Sequence, residues 1–263
     1  MKTTSPQLSK PNFWENQLVQ VGELAKLFVE TLQGCLTAPF YIHRLMDQLV
    51  IIGIGSALIS GTIGFVMGLV MTLQFGHGLN AFGGTFYVPS IVSVSLMREL
   101  APIMTSLLVA GRIGSGITAE IGAMNVTQQV DAIRALGTSP VRVLVVPRFL
   151  AALISLPLLT IFSAFMGLLG GLIICDIEFH IPFGFYINKV LEYLHFYDVM
   201  SAMFKSAVFA MIIVIIATYR GFKTKDGTRG VGGSTTWVVV TSSILILISD
   251  FFLSKILLTF FVT

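Results

Sequence analysis

The stretch "MRELAPIMTSLLVAGRIGSGITAE" (residues 97–120) sets Arg98 beside Glu99 in a run otherwise apolar enough for lipid, with Arg112 and Glu120 toward its far end. Such charges are ordinary on a soluble helix and costly inside a membrane, so the surrounding sequence has to say which this is. The chain of 263 residues is 55% hydrophobic and only 11% charged, whereas a soluble domain is about 25% charged. Residues 49–76 and 149–175 carry no charge at all, and each exceeds the roughly 20 residues that cross a bilayer as a helix. A third such run is 230–249, and a fourth, 199–219, is interrupted only by Lys205. The quoted stretch, extended upstream to Pro89, is the fifth. The expected fold class is therefore all-α: a polytopic membrane protein with transmembrane helices at 48–76, 89–120, 141–175, 199–220 and 236–261.

These spans leave no room for a sizeable soluble domain, and residues 1–263 read as one unit. Cys35 and Cys175 make neither a disulfide framework nor a metal spacing. The polar first 15 residues lack an apolar core, so no cleaved signal is expected and the first span should direct insertion. The net charge of +3 does not suggest nucleic acid, and its placement carries the information. Lys2, Lys10, Lys26 and Arg44 precede the first span; Arg134, Arg142 and Arg148 follow the second; Arg220, Lys223, Lys225 and Arg229 follow the fourth. Residues 76–89 have no Lys or Arg, and 176–198 have only Lys189 among several acids. The positive-inside rule then puts the N-terminus in the cytoplasm and the C-terminus outside.

Residues 12–36 form a different element. Trp14, Leu18, Val21, Ala25, Phe28 and Leu32 step by three and four, and Glu15, Gln20, Glu23, Lys26 and Glu30 fill the other side. Asn12 and Glu15 suit a capping box. This amphipathic helix is too polar to span and is expected at the cytoplasmic interface or packed as an elbow on the other helices. Two small-residue stripes lie within the spans: Ser56, Ser60, Gly64, Gly68 and Thr72 in the first, and Gly111, Ser115 and Ala119 in the second. Either can bring helix backbones close, within the chain or between subunits.

Counted from Pro89, Glu99 lies about 15 Å along the second span, near mid-bilayer. A charge there costs about 2.5–3.5 kcal/mol on insertion scales. Arg98 and Glu99 project about 100° apart, so at least one needs a partner elsewhere or a wet cavity. Lys205, the one charge inside the fourth span, is the expected partner of Glu99. Asp250, inside the last span, is expected to pair with a polar group on a neighbouring helix, and Lys255 lies nearer the exit.

Residues 121–140 read as a short amphipathic helix on the cytoplasmic side, stopped by Gly137 and Pro140. Such a helix between two spans suits transmission of force from a soluble partner. Asp131-Ala132 with Gly137 echoes the EAA loop through which importer permeases meet their ATPases. A wider pattern runs in order: "REL-P" (98–102), "AGR-G" (110–114), "AE-G-M" (119–124), "Q--DA----G--P" (128–140), "PR" (147–148) and "RGVG-STT" (229–236). In these motifs, spread over nearly the whole chain, the sequence resembles the MlaE/YrbE family of ABC-transporter permeases.

That resemblance implies a homodimeric permease bound to a cytoplasmic ABC ATPase dimer, with ATP and Mg held by the ATPase and no cofactor in this chain. It also implies a periplasmic ring of MCE-domain proteins, phospholipid cargo and a role in outer-membrane lipid asymmetry. The bacterial inner membrane is the expected location. Arg98, Glu99 and Lys205 would then hold a lipid headgroup, with Leu79, Phe82 and Tyr87 near the mouth of the cavity. Glu120, Gly122, Met124, Gln128, Asp131, Ala132 and Gly137 would couple to the ATPase.

The glycine-rich stretch 227–233 lacks the Gly-Lys-Ser/Thr ending of a phosphate loop, so ATP hydrolysis in this chain is not expected. An intramembrane lipid-modifying enzyme and a non-transporting scaffold are the competing readings. His43, His77, His180 and His195 all fall near span ends or in loops, and no HExxH or GxSxG motif occurs.

Overall fold

The computed structural model describes residues 13–36, 41–225 and 227–261. Helix α1 spans Phe13–Leu36. The first two spans are α2 (Ile42–Asn80) and α3 (Thr85–Val126). A short helix, α4 (Gln129–Ala135), leads into the third span, α5 (Val141–Ile177). Helix α6 (Phe183–Tyr193) precedes the fourth span, α7 (Phe196–Lys223), and α8 (Gly227–Phe261) is the fifth. All five spans are long and apolar enough to cross a bilayer, which makes this a multi-pass helical membrane protein. Helices α1 and α4 mark one end of the bundle and α6 the other.

The helices run longer than the apolar runs alone suggested. Polar residues such as Asp47 at the start of α2 and Asn125 at the end of α3 continue the helix, because a helix needs apolar side chains only where it meets lipid or core. The expected helix at 121–140 is shorter for the same reason. Residues 121–126 complete α3, Gln128 breaks the chain at φ 61°, and α4 occupies only Gln129–Ala135. Gly137 then turns at φ 75°, a conformation glycine adopts without penalty. Asn12 lies outside the described residues, as do the side chains of Trp14 and Glu15, so the expected cap at 12–15 does too.

Helix α1 packs Leu24, Leu27, Phe28 and Cys35 onto the main core, with Phe28 edge-on to Phe149. Leu18, Val21 and Leu32, read from sequence as one stripe with Phe28, face away and stay exposed. Burial pushes the Cys35 thiol above its usual range. Glu23 fastens the helix to α7, accepting hydrogen bonds from Lys223 Nζ and from Tyr219 Oη at 2.9 Å.

The closest helix pair is α2 against α5. Ser56, Ser60, Gly64, Gly68 and Thr72 are all buried, and Gly64 and Gly68 face Ser163 and Gly167. A Cβ on Gly68 would lie 1.8 Å from the Gly167 carbonyl oxygen, and one on Gly64 2.1 Å from that of Ser163. The first small-residue stripe is thus consumed inside the chain. The second is not: Gly111, Ser115 and Ala119 stay half-exposed on α3.

Candidate functional site

Helices α3, α7 and α8 meet around charged side chains about a third of the way from the α6 end. On α7, Asp198 and Lys205 are seven residues apart, two turns on one face, and both are buried. On α8, Asp250 and Ser254 are one turn apart. The α3 contribution comes from a π-helical turn at Leu96–Leu100, followed by Pro102. Wide turns of this kind concentrate at functional sites. Proline has no amide hydrogen, so the Arg98 carbonyl loses its usual helical donor. Lys205 Nζ supplies one at 3.0 Å.

The adjacent charges of the motif go to different partners. Arg98 donates to Asp198 and to Tyr197 Oη, and its guanidinium lies 5.0 Å from the Tyr197 ring centre. Asp198 also accepts from the His195 amide at 2.9 Å, capping α7 where an acid suits the helix dipole. Glu99 accepts from Lys205 Nζ at 2.7 Å and from Ser254 Oγ at 3.1 Å. Lys205 donates in addition to Ser254 Oγ at 2.7 Å, and Asp250 Oδ1 lies 3.2 Å away. The Lys205 side chain is 1% exposed and that of Glu99 40%. Of the expected site residues, Arg98, Glu99 and Lys205 come together, and Arg98 is held by a partner of its own.

Leu79 and Phe82 are not part of this cluster. Leu79 packs at the α6 end against a core of Val88, Val92, Leu96, Ile181, Tyr186 and Val190. Phe82 is 87% exposed in the turn between α2 and α3, and Tyr87 is exposed nearby. Helix α6, which covers that core, was not anticipated, nor was Asp198, although it lies seven residues before Lys205. The expected start of the span at 199 left that acid just outside.

The residues expected to couple to an ATPase divide between two settings. Gly122 is buried, and a Cβ there would meet the Thr224 side chain at 3.1 Å, so it positions α3 and cannot touch a partner. Glu120 pairs with the buried Arg148 at 2.6 Å, beside a cleft of about 200 Å³ lined also by Arg44, Asp47, Gln48 and Met124. In α4, Val130 is buried against Val143 and Leu144, which holds the helix down. Gln128, Asp131, Ala132 and Gly137 remain exposed, and Leu136 is 83% exposed at the tip. An exposed leucine amid polar residues suits a protein contact. Arg112 donates to Ser56 Oγ at 2.8 Å, tying α3 to α2.

No group of three or more His, Cys, Asp or Glu residues suited to a metal occurs among the described residues. A family model described as "Permease MlaE" matches residues 45–256. A probable ABC transporter permease protein of Rickettsia typhi is 38% identical over 237 residues, covering 90% of this chain and 92% of the relative. One from Synechocystis is 41% identical over 245 residues, covering 92% and 91%. The chloroplastic protein TRIGALACTOSYLDIACYLGLYCEROL 1 of Arabidopsis thaliana is 36% identical over 202 residues, covering 77% of this chain and 57% of its own length.

Proposed function

We propose, for a chain that belongs to the MlaE family of ABC-transporter permeases, that its cargo is a phospholipid held at the α3–α7–α8 charge cluster. The observation that carries this reading is the placement of Glu99. Its carboxylate lies inside a membrane-spanning helix yet is 40% exposed, on a half-open face of α3 continued by Ser95, Ile103 and Leu107. A charge that served packing alone would be sealed, whereas one on an open intramembrane face fits a substrate path. The apolar residues that continue this face suit acyl chains. The name of the Arabidopsis relative is that of a glycerolipid, which agrees in chemical class.

The remaining parts of the machine follow from the same reading. A second copy of the chain closes the open faces of α3 and α8 into a cavity. A cytoplasmic ATPase dimer, which holds ATP and Mg, docks on α4 through Asp131, Ala132 and Leu136, with Glu120 and Arg148 bracing the contact. The exposed Leu18–Val21–Leu32 face of α1 lies on the cytoplasmic leaflet. The α6 end faces the periplasm and an MCE-domain ring, in a bacterial inner membrane, and the lipid traffic between the two maintains outer-membrane asymmetry.

Purification in mild detergent, followed by mass spectrometry of bound lipid and copurified subunits, tests this reading. Wild-type protein is expected to carry phospholipid and an ATPase. Glu99→Ala, which leaves Lys205 paired with Asp250, is expected to lose lipid while the complex stays assembled. Unchanged lipid in a destabilised complex would instead make the charges a fixed structural cluster, as a non-transporting scaffold requires.

A further inference from the structure

We infer that the Glu99–Lys205–Asp250 cluster takes an amine cation, the headgroup ammonium of an amino phospholipid, rather than a phosphate. The inference rests on the lipid-permease reading above and adds the headgroup chemistry. An ammonium has three N–H donors, and those of Lys205 go to Arg98 O at 3.0 Å, Glu99 Oε2 at 2.7 Å and Ser254 Oγ at 2.7 Å. The Arg98 guanidinium is held by Asp198 and Tyr197. A phosphate arriving here finds each nearby cation already engaged and must displace a protein partner to gain a donor.

The charge count runs the same way. Arg98 and Asp198 cancel, which leaves Lys205 between two carboxylates, Glu99 on α3 and Asp250 on α8. Lys255, the next cation along α8, is exposed on a different face. One negative charge is therefore in excess within a membrane-spanning bundle, where an unbalanced charge is strongly disfavoured. Acceptor capacity is left on the open side. Asp250 Oδ1 is buried and already paired with Lys205 Nζ at 3.2 Å, so the open acceptor is on Glu99. Both hydrogen bonds to Glu99 fall on Oε2, so Oε1 is left to the half-open face. In a sealed site a proton alone would balance the charge. This carboxylate opens onto the path, where a cation bearing N–H groups gains charge-assisted hydrogen bonds as well.

The test uses the full chain with its copurified partners, delipidated and titrated by native mass spectrometry. The probes are phosphatidylethanolamine, phosphatidylglycerol and phosphatidylcholine with identical acyl chains. Phosphatidylethanolamine is expected to bind about tenfold more tightly than phosphatidylglycerol, the worth of roughly one charge-assisted hydrogen bond. Phosphatidylcholine, whose choline cation carries no N–H donors, should fall between them. Asp250→Asn removes the excess charge and leaves each Lys205 hydrogen bond in place, and Glu99→Gln does the same from the other side. Either is expected to bring the ratio close to one in a complex that still elutes intact. Equal binding by wild type, a preference for phosphatidylglycerol, or an amine preference that survives both substitutions overturns the inference. Displacement of the lipid by free ethanolamine at matching concentration would assign the site to a small soluble amine and overturn the lipid assignment. Failure of every lipid to bind would sink the permease reading itself, whereas equal binding of all three would sink only this inference.

Discussion

The α2–α5 seam and the α3–α7–α8 seam solve the same problem by opposite means. In the first, glycine and serine bring backbones into contact, and Gly64, Gly68 and Gly170 leave no space for a Cβ. Dispersion between close-packed atoms holds it, since lipid offers no hydrophobic drive between helices. In the second, long polar side chains bind the helices through Arg98–Asp198 and Lys205–Glu99. A seam of the first kind has one tight arrangement and little tolerance. One of the second kind can exchange partners while staying paired, which is the property a moving or cargo-binding interface needs.

The sharpest way to break the contrast is to place a side chain in the dry seam. Gly68→Leu is expected to abolish folded protein, because even its Cβ would lie 1.8 Å from a backbone oxygen; detergent gel filtration of a fluorescent fusion reads this directly. Lys205→Met comes next. It leaves Glu99 and Asp250 without a counterion, for an expected loss of about 3–5 kcal/mol. Adding Glu99→Gln and Asp250→Asn should restore most of it, as thermal unfolding in detergent would show. If the triple variant were no more stable than Lys205→Met, unpaired charge would not be the cause.

Smaller effects sharpen the comparison. Asp198→Asn keeps the shape but weakens the hold on Arg98, with an expected loss of about 1.5–3 kcal/mol by the same measurement. The α1 contact should be smaller still. Lys223 and Tyr219 donate to Glu23 and hold its carboxyl below the ordinary value of 4.5. The folded state thus prefers the charged form. Its contribution is complete above pH 4.5 and fades as pH falls through the lower folded value. Because Glu23 and Lys223 are each more than two-fifths exposed, the effect should stay below about 1 kcal/mol. Wild type and Glu23→Gln should converge in stability toward acid, and a difference that persists at low pH would refute the assignment.

Much of the second seam was legible along the chain. Arg98, Glu99, Lys205 and Asp250 stood out because charge is scarce in these spans, and insertion cost alone required partners. Asp198 was hidden by its position at the boundary of an apolar run, where an acid reads as a loop residue. Ser254 was hidden because serine is unremarkable in a span. The helix expected at 121–140 was misjudged in extent, because the break at Gln128 comes from a left-handed backbone that residue type alone does not signal. Helix α6 was missed because it is short and covers a core assembled from α3 and α5.

By itself the sequence determined the five spans, the motifs of the family and the presence of intramembrane charges needing partners, because each follows from composition and spacing along one helix. Only the tertiary structure decided who those partners are. It paired Arg98 with Asp198 and Lys205 with Glu99, spent one small-residue stripe on α5 and left the other open. Those outcomes depend on which helix faces meet, and a span's own residues do not specify its neighbour.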